Sequence, residues 1–231
     1  MIRNIFALLL ILVISVFLAS SIASIPFGTE KTIVGKYYLD KTTEETGSVN
    51  TVTSVVVLYR GFDTLGEVTV LFLAATGLGA ILFGLREKRK RKKERPSLIM
   101  RTGTRYLFTA ALLFGAYVFV HGHLTPGGGF PGGVIVATAF LMLFLAQEGF
   151  RVSEKGVKFV EALAGMTYVA IGIAGLLLVG SFLGNFLGTG IPNKLASAGI
   201  IPLIYITIGL KVGSEITGLL QNMRETTEYE S

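Results

Sequence analysis

The chain has no cysteine and no tryptophan, only two histidines and six prolines, and charged residues at 16% of its 231 positions. Without cysteine there is no disulfide, no thiolate-held iron–sulfur cluster and no cysteine nucleophile in this chain. Any redox chemistry associated with it belongs to a partner, and no cofactor is expected here. A soluble domain carries about 25% charged residues, so charge is scarce as well. No internal repeat of the kind that marks many secondary transporters is visible. What the sequence does have is apolar residues, at 51% and a mean hydropathy of +0.65, gathered in long blocks. That pattern describes an all-α, polytopic integral membrane protein with about six transmembrane helices.

The formal net charge is +6, and one run accounts for it. REKRKRKKER, Arg86 to Arg95, holds eight basic and two acidic residues, which leaves the rest of the chain neutral. A basic run between apolar spans reads as a cytoplasmic loop obeying the positive-inside rule and gripping anionic lipid headgroups, not as a nucleic-acid surface.

The first apolar block, Ile5 to Ile25, is about 20 residues long and suits a full span. SSIAS at its end would also fit a signal cleavage site; the retained helix is the expectation, with the N-terminus cytoplasmic. Residues 26–50 are polar and rich in threonine, an external segment. Further spans are expected at Leu65–Leu85, Tyr106–Val120, Val134–Ala146, Phe159–Leu183 and Leu195–Val212, the last with Pro202 inside it. Both termini then lie in the cytoplasm. The basic linker divides the chain into a two-helix segment, 1–95, and a four-helix domain, 96–231.

Carboxylates within or beside these spans are the first candidates for chemistry, because such groups are costly in a membrane and face protein or water. Arg60, Asp63 and Glu67 fall at helical spacing, and their face continues through Val70, Ala74, Gly77, Ile81 and Gly84, small enough for another helix to approach. Glu67 and Asp63 are ion-path candidates; the plainer alternative is an interfacial Arg60–Asp63 pair with Glu67 reaching the surface. Glu161 heads a second face through Gly165, Tyr168, Gly172 and Gly175. It either relays ions or caps its helix through the dipole. Lys211 lies four residues before Glu215, as a contact at the cytoplasmic rim or an element of a proton pathway. Gly172, Gly175, Gly209 and Gly213 are helix-packing candidates.

HGHLTPGGGFPGG, residues 121–133, contains both histidines. On a helix His121 and His123 point about 200° apart and share no metal, and the stretch has no lysine for a phosphate-binding loop. What remains is a break, Pro126, Gly127, Gly128, Gly129 and Pro131, between two apolar segments of half length. The third block, 15 residues, spans about 22 Å as a helix, so the bend is expected to dip into the membrane against a partner or an ion path.

FGAYVFVHGHLTPGGGFPGGVIVATAF, GSFLGNFL and SAGIIPLIYITIGLKVG resemble the B subunit of multisubunit Na+/H+ antiporters, the Mrp or Mnh family, over about residues 97–220. Pro131 departs from the glutamine usual there. Residues 49–85, with YRGFDTLGEVTVLFLAATG, resemble the C-terminal end of the large A subunit and the small subunit derived from it in archaeal membrane-bound hydrogenases and sulfane reductases. The resemblance implies a non-catalytic accessory subunit in the cell membrane, partnered by other antiporter-type subunits and by hydrogenase-like redox subunits that hold iron–sulfur clusters. Na+ and H+ would be the transported ions. Glu67 and the His121–Gly133 block carry over as functionally implicated, followed by Glu161 and Lys211. A purely structural scaffold is the alternative.

Overall fold

The computed structural model describes residues 2–25, 33–84, 96–147 and 149–226. The basic run and Glu148 lie outside the described residues, as do residues 26–32. Among the described residues six helices are long and apolar enough to cross a membrane, and no strand occurs. The chain is therefore an all-α polytopic membrane protein. It divides into two units, 1–37 and 38–231.

The first unit holds α1, Ile2–Ala23, an uninterrupted apolar helix. Helix α2, Ile33–Thr46, starts in this unit and ends in the second. It occupies the segment expected to be only a polar external stretch: hydroxyls at i+4 spacing bond back along it, Thr42 to the Tyr38 carbonyl and Thr46 to the Thr42 carbonyl. Asn50 then caps the single-turn helix α3, Thr51–Ser54, accepting from the Thr53 amide. A π-helical turn, Val55–Tyr59, follows, and the Val56 carbonyl accepts from Thr64 at 2.6 Å. Helix α4, Gly61–Gly84, begins immediately afterwards.

The remaining four helices are α5, Leu98–Val120, α6, Gly129–Ala146, α7, Glu154–Val179, and α8, Ile201–Thr226. Helix α8 is the central element: α4, α5, α6 and α7 all pack on it. Buried Ile201, Ile204, Ile208 and Val212 run down its core-facing side.

Three expectations about element ends are corrected. The block from Tyr106 is not half-length: Ser97 caps α5 by accepting from the Met100 amide at 3.1 Å, so the helix starts at Leu98 and is long enough to span. Gly129 and Pro131 belong to α6, not to the break. Amides in the first turn of a helix have no partner within it, so a proline there sacrifices no hydrogen bond. Pro202 is likewise in the first turn of α8. Only Pro126, Gly127 and Gly128 remain in the bend, where Gly127 and Gly128 take φ of +151° and +136°, values that glycine alone adopts at no steric cost.

The glycines at 132 and 133 are packing positions. A Cβ on Gly133 would stand 2.8 Å from the Gly209 carbonyl oxygen, and one on Gly132 2.8 Å from that of Gly115. Gly209 lies against the Phe119 ring and Gly213 against Val136, so both bring α8 close to α5 and α6. Gly172 and Gly175 do something else. They admit the chain's own turn 181–184, the first against the Phe182 ring and the second against the Gly184 backbone.

Candidate functional site

Helices α4 and α7 both rest on α8 and leave between them a partly open cavity of about 1060 Å³. Its walls are mostly apolar or small, and one charged cluster interrupts them. Lys211 projects from α8, with Gly165 of α7 leaving room for its stem and the Phe72 ring of α4 5.3 Å from its ammonium. That ammonium is 3.0 Å from Oε2 of Glu215 and 3.6 Å from Oε1 of Glu161. The Lys211–Glu215 pair is one helical turn apart on α8, which sets the two side chains on the same face; Glu161 comes from α7.

Exposure falls steadily through this cluster, from 23% at the Glu161 side chain to 11% at Lys211 and 3% at Glu215. Glu215 Oε1 is buried and has no hydrogen-bond partner among the described residues. Two carboxylates and one ammonium leave the cluster one negative charge in excess.

Both Lys211 and Glu161 differ from their plainer expectations. Helix α8 continues to Thr226, so Lys211 is not at the rim. It sits ten residues past Ile201, about 15 Å along the axis, half the depth of a hydrocarbon core of about 30 Å. The expected end of the last span at Val212 is corrected with it. Lys211, Ser214 and Glu215 break the apolar pattern there without ending the helix, and the two charged residues do so because they face the cavity. Glu161 does not cap α7. Ser153 does, accepting from the Gly156 amide, and Glu154 occupies the acidic first-turn position. Glu161 lies two turns further in, on the face whose Tyr168, Gly172 and Gly175 are buried. Glu215 is visible in the sequence only as the i+4 neighbour of Lys211.

Glu67 stands apart from this cluster. It is exposed on α4, as are Asp63, Val70, Ala74, Gly77 and Ile81, so the face expected to receive another helix is open in this chain. Arg60 and Asp63 form an exposed ion pair at 2.7 Å, the interfacial pair of the plainer reading.

The two histidines are separated. His121 ends α5, its ring stacked on Tyr117 at 4.1 Å. His123 is fully buried in the bend. Among the described residues no group of three or more histidines and carboxylates could hold a metal ion. The main chain around His123 forms a polar clasp. Its carbonyl accepts from the Val49 and Asn50 amides at 3.1 Å each and from Ser48 Oγ at 2.9 Å. Gly122 accepts from Asn50 Nδ2 at 2.9 Å and Thr53 Oγ1 at 2.7 Å, and Thr125 from Asn50 Nδ2 at 3.0 Å. Tyr205 of α8 closes the group by donating to Thr53 Oγ1 at 2.9 Å. The bend is thus a docking loop for residues 48–53.

Neither ring nitrogen of His123 has a hydrogen-bond partner among the described residues. Burial pushes the imidazole below its ordinary value near 6.5; the neighbouring His121 acts in the same sense, and the carbonyls of Lys194, Leu195 and Val120, near the ring but outside hydrogen-bond geometry, oppose it. A base held neutral by the fold binds its proton earlier in the unfolded chain, so stability falls as the pH drops below about 6.5. The thermal midpoint of the wild-type protein should fall between about pH 7.5 and 5.5, on either side of that value. His123→Gln should flatten the fall while His121→Gln should not. Equal slopes in all three would contradict the assignment.

Comparison with known proteins assigns the architecture. The family model described as a domain related to the MnhB subunit of Na+/H+ antiporter matches residues 99–218. The chain belongs to this family. A second model, for the E subunit of MBH, matches residues 5–95, so the clasp joins a stretch matching one model to a stretch matching the other. The MnhB-related chain is 30% identical over 190 residues to protein MJ1307 of Methanocaldococcus jannaschii, covering 71% of this chain and 72% of that one. It is 38% identical over 90 residues to the B subunit of the Na+/H+ antiporter of Bacillus subtilis, covering 37% of this chain and 57% of that protein. Among solved structures it resembles a chain of the membrane-bound sulfane sulfur reductase, an archaeal respiratory membrane complex, with a TM-score of 0.80 and 48% identity over 96% of this chain and 98% of the other. It also matches a chain of the Mrp complex from Dietzia sp. DQ12-45-1b, with a TM-score of 0.76 and 25% identity, over 96% of this chain and 26% of that one. As a family member with six apolar helices among its described residues, the MnhB-related chain is a multi-pass membrane protein with a non-catalytic role.

Proposed function

We propose that this chain is an accessory subunit of a multisubunit cation/proton antiporter assembly, of the kind found in archaeal respiratory membrane complexes, and that it takes part in moving ions across the membrane. One observation carries this reading: Lys211, at mid-depth in a membrane helix, is held between Glu161 and Glu215 and opens into a cavity. Charges at that depth are costly and mark ion or proton routes. The near full-length likeness to a chain of the sulfane sulfur reductase complex supports a redox-driven assembly whose metal centres lie in other subunits. The open face of α4, with Glu67 near its outer end, is where a partner's helix would dock, since an exposed carboxylate there needs a polar or cationic neighbour.

In this reading both termini and the 86–95 run are cytoplasmic, the run lying against anionic headgroups, and the chain consists of two parts of separate ancestry, 1–95 and 96–231. Inverted vesicles containing the assembled complex test the ion-path reading. Glu67→Gln should reduce Na+/H+ exchange while native gels show the complex intact. Full exchange in this variant and in the cavity variants described below would leave the scaffold reading, which the close glycine packing of α5, α6 and α8 favours.

A further inference from the structure

The cavity cluster also carries information on which ion it handles. A hard cation such as Na+ needs a shell of several oxygens from carboxylates, carbonyls or water. The position between the two carboxylates that such an ion would take is already filled by the Lys211 ammonium, 3.0 Å from one and 3.6 Å from the other. The surroundings offer little replacement, with the Phe72 ring above the ammonium and Gly165 beside its stem. Oε1 of Glu215 is the one buried atom of the cluster left without a partner among the described residues, and it is buried so deeply that a water molecule cannot touch it. An ion with any solvent shell cannot reach that oxygen, whereas a proton occupies no volume.

Charge points the same way. The cluster has one negative charge in excess, and a single added proton brings it to neutrality with Lys211 still in place. The declining exposure from Glu161 through Lys211 to Glu215 orders the groups from the cavity inward. A proton entering at the Glu161 carboxylate passes to Glu215 by way of the lysine: Lys211 gives one of its three protons to Glu215 and takes the incoming one from Glu161, which balances charge and protons at each end. The other titratable groups along the cavity are Glu154 and Lys158 of α7, with Tyr168 on the wall.

We propose that the Glu161–Lys211–Glu215 cluster binds and passes protons and excludes Na+, so that any Na+ path of the assembly runs elsewhere. This rests on the ion-translocation reading above. The test is Na+/H+ exchange by the assembled complex in proteoliposomes, followed with a pH-sensitive dye while Na+ concentration and pH are varied independently. For Glu215→Gln the rate at saturating Na+ should fall by about a hundredfold, the usual scale of a lost proton-transfer group, with the half-saturating Na+ concentration unchanged. A half-saturating Na+ concentration raised about tenfold with the saturating rate intact is the signature of a lost ligand and would overturn the proposal while sparing the translocation reading. Wild-type behaviour overturns the proposal, and together with full exchange in Glu67→Gln it overturns the translocation reading as well. Should Glu215→Gln fail to assemble, Glu161→Gln, partly exposed to the cavity, replaces it. It is expected to move the pH of half-maximal exchange and not the Na+ dependence, and the reverse outcome again decides against the proposal.

Discussion

Substituting methionine for Lys211 is expected to abolish exchange by the assembled complex and to lower its stability by about 3–5 kcal/mol, the usual cost of removing one partner from a buried ion pair. Methionine keeps much of the stem and its contact with α7 but leaves the Glu215 carboxylate, 3% exposed, with no counter-charge. Adding Glu215→Gln separates stability from function. With the buried charge removed as well, most of the lost stability should return, because a neutral pair in an apolar site costs far less than an orphaned carboxylate. Exchange should not return, because the cluster can no longer pass a proton inward. The thermal midpoint of the purified complex and exchange in proteoliposomes are the two measurements. Recovery of exchange in the double variant would show that Lys211 serves only to neutralise Glu215.

Gly209→Leu is expected to remove the chain from the complex altogether. The Phe119 ring of α5 lies directly against Gly209, and the Gly209 carbonyl would be only 2.8 Å from a Cβ at Gly133. Neither the ring nor the α6 backbone can yield without separating the helices. Overpacking on this scale costs about 3 kcal/mol or more, and in a membrane no hydrophobic force compensates for lost helix contact. Gly188→Leu is the control, since open space surrounds that glycine. On native gels the first variant should be missing from the assembled band and the second retained in it. Retention of Gly209→Leu would mean that α5, α6 and α8 are not packed as described.

Much of this architecture is legible in the sequence, for identifiable reasons. Apolar block length gives the number of spans because the bilayer thickness sets it, and six helices long enough to cross are present among the described residues. The i, i+4 periodicity places Glu161 at the head of a face whose Tyr168, Gly172 and Gly175 are buried. It also groups Asp63, Glu67, Val70, Ala74, Gly77 and Ile81 on one exposed face of α4. Helix ends are less legible. Arg101 and Arg105 make α5 look short although Ser97 begins it, and the charges at Lys211 and Glu215 make α8 look as if it ends where it turns toward the cavity. Hydropathy cannot tell a charge at a membrane surface from a charge paired inside. The meeting of Lys211 with Glu161 depends on how α7 lies on α8, and the clasp around His123 depends on main-chain carbonyls, which side-chain patterns do not encode.

The clasp has a consequence for how such a protein can be encoded. Residues 48–53 are fastened to Gly122, His123 and Thr125 by hydrogen bonds, and α4 is seated on α8 by side-chain packing. None of these attachments requires the peptide bonds between residues 85 and 95. One reading frame and two would therefore yield the same joint, and a genome could divide or merge these pieces without redesigning the surface at which they meet.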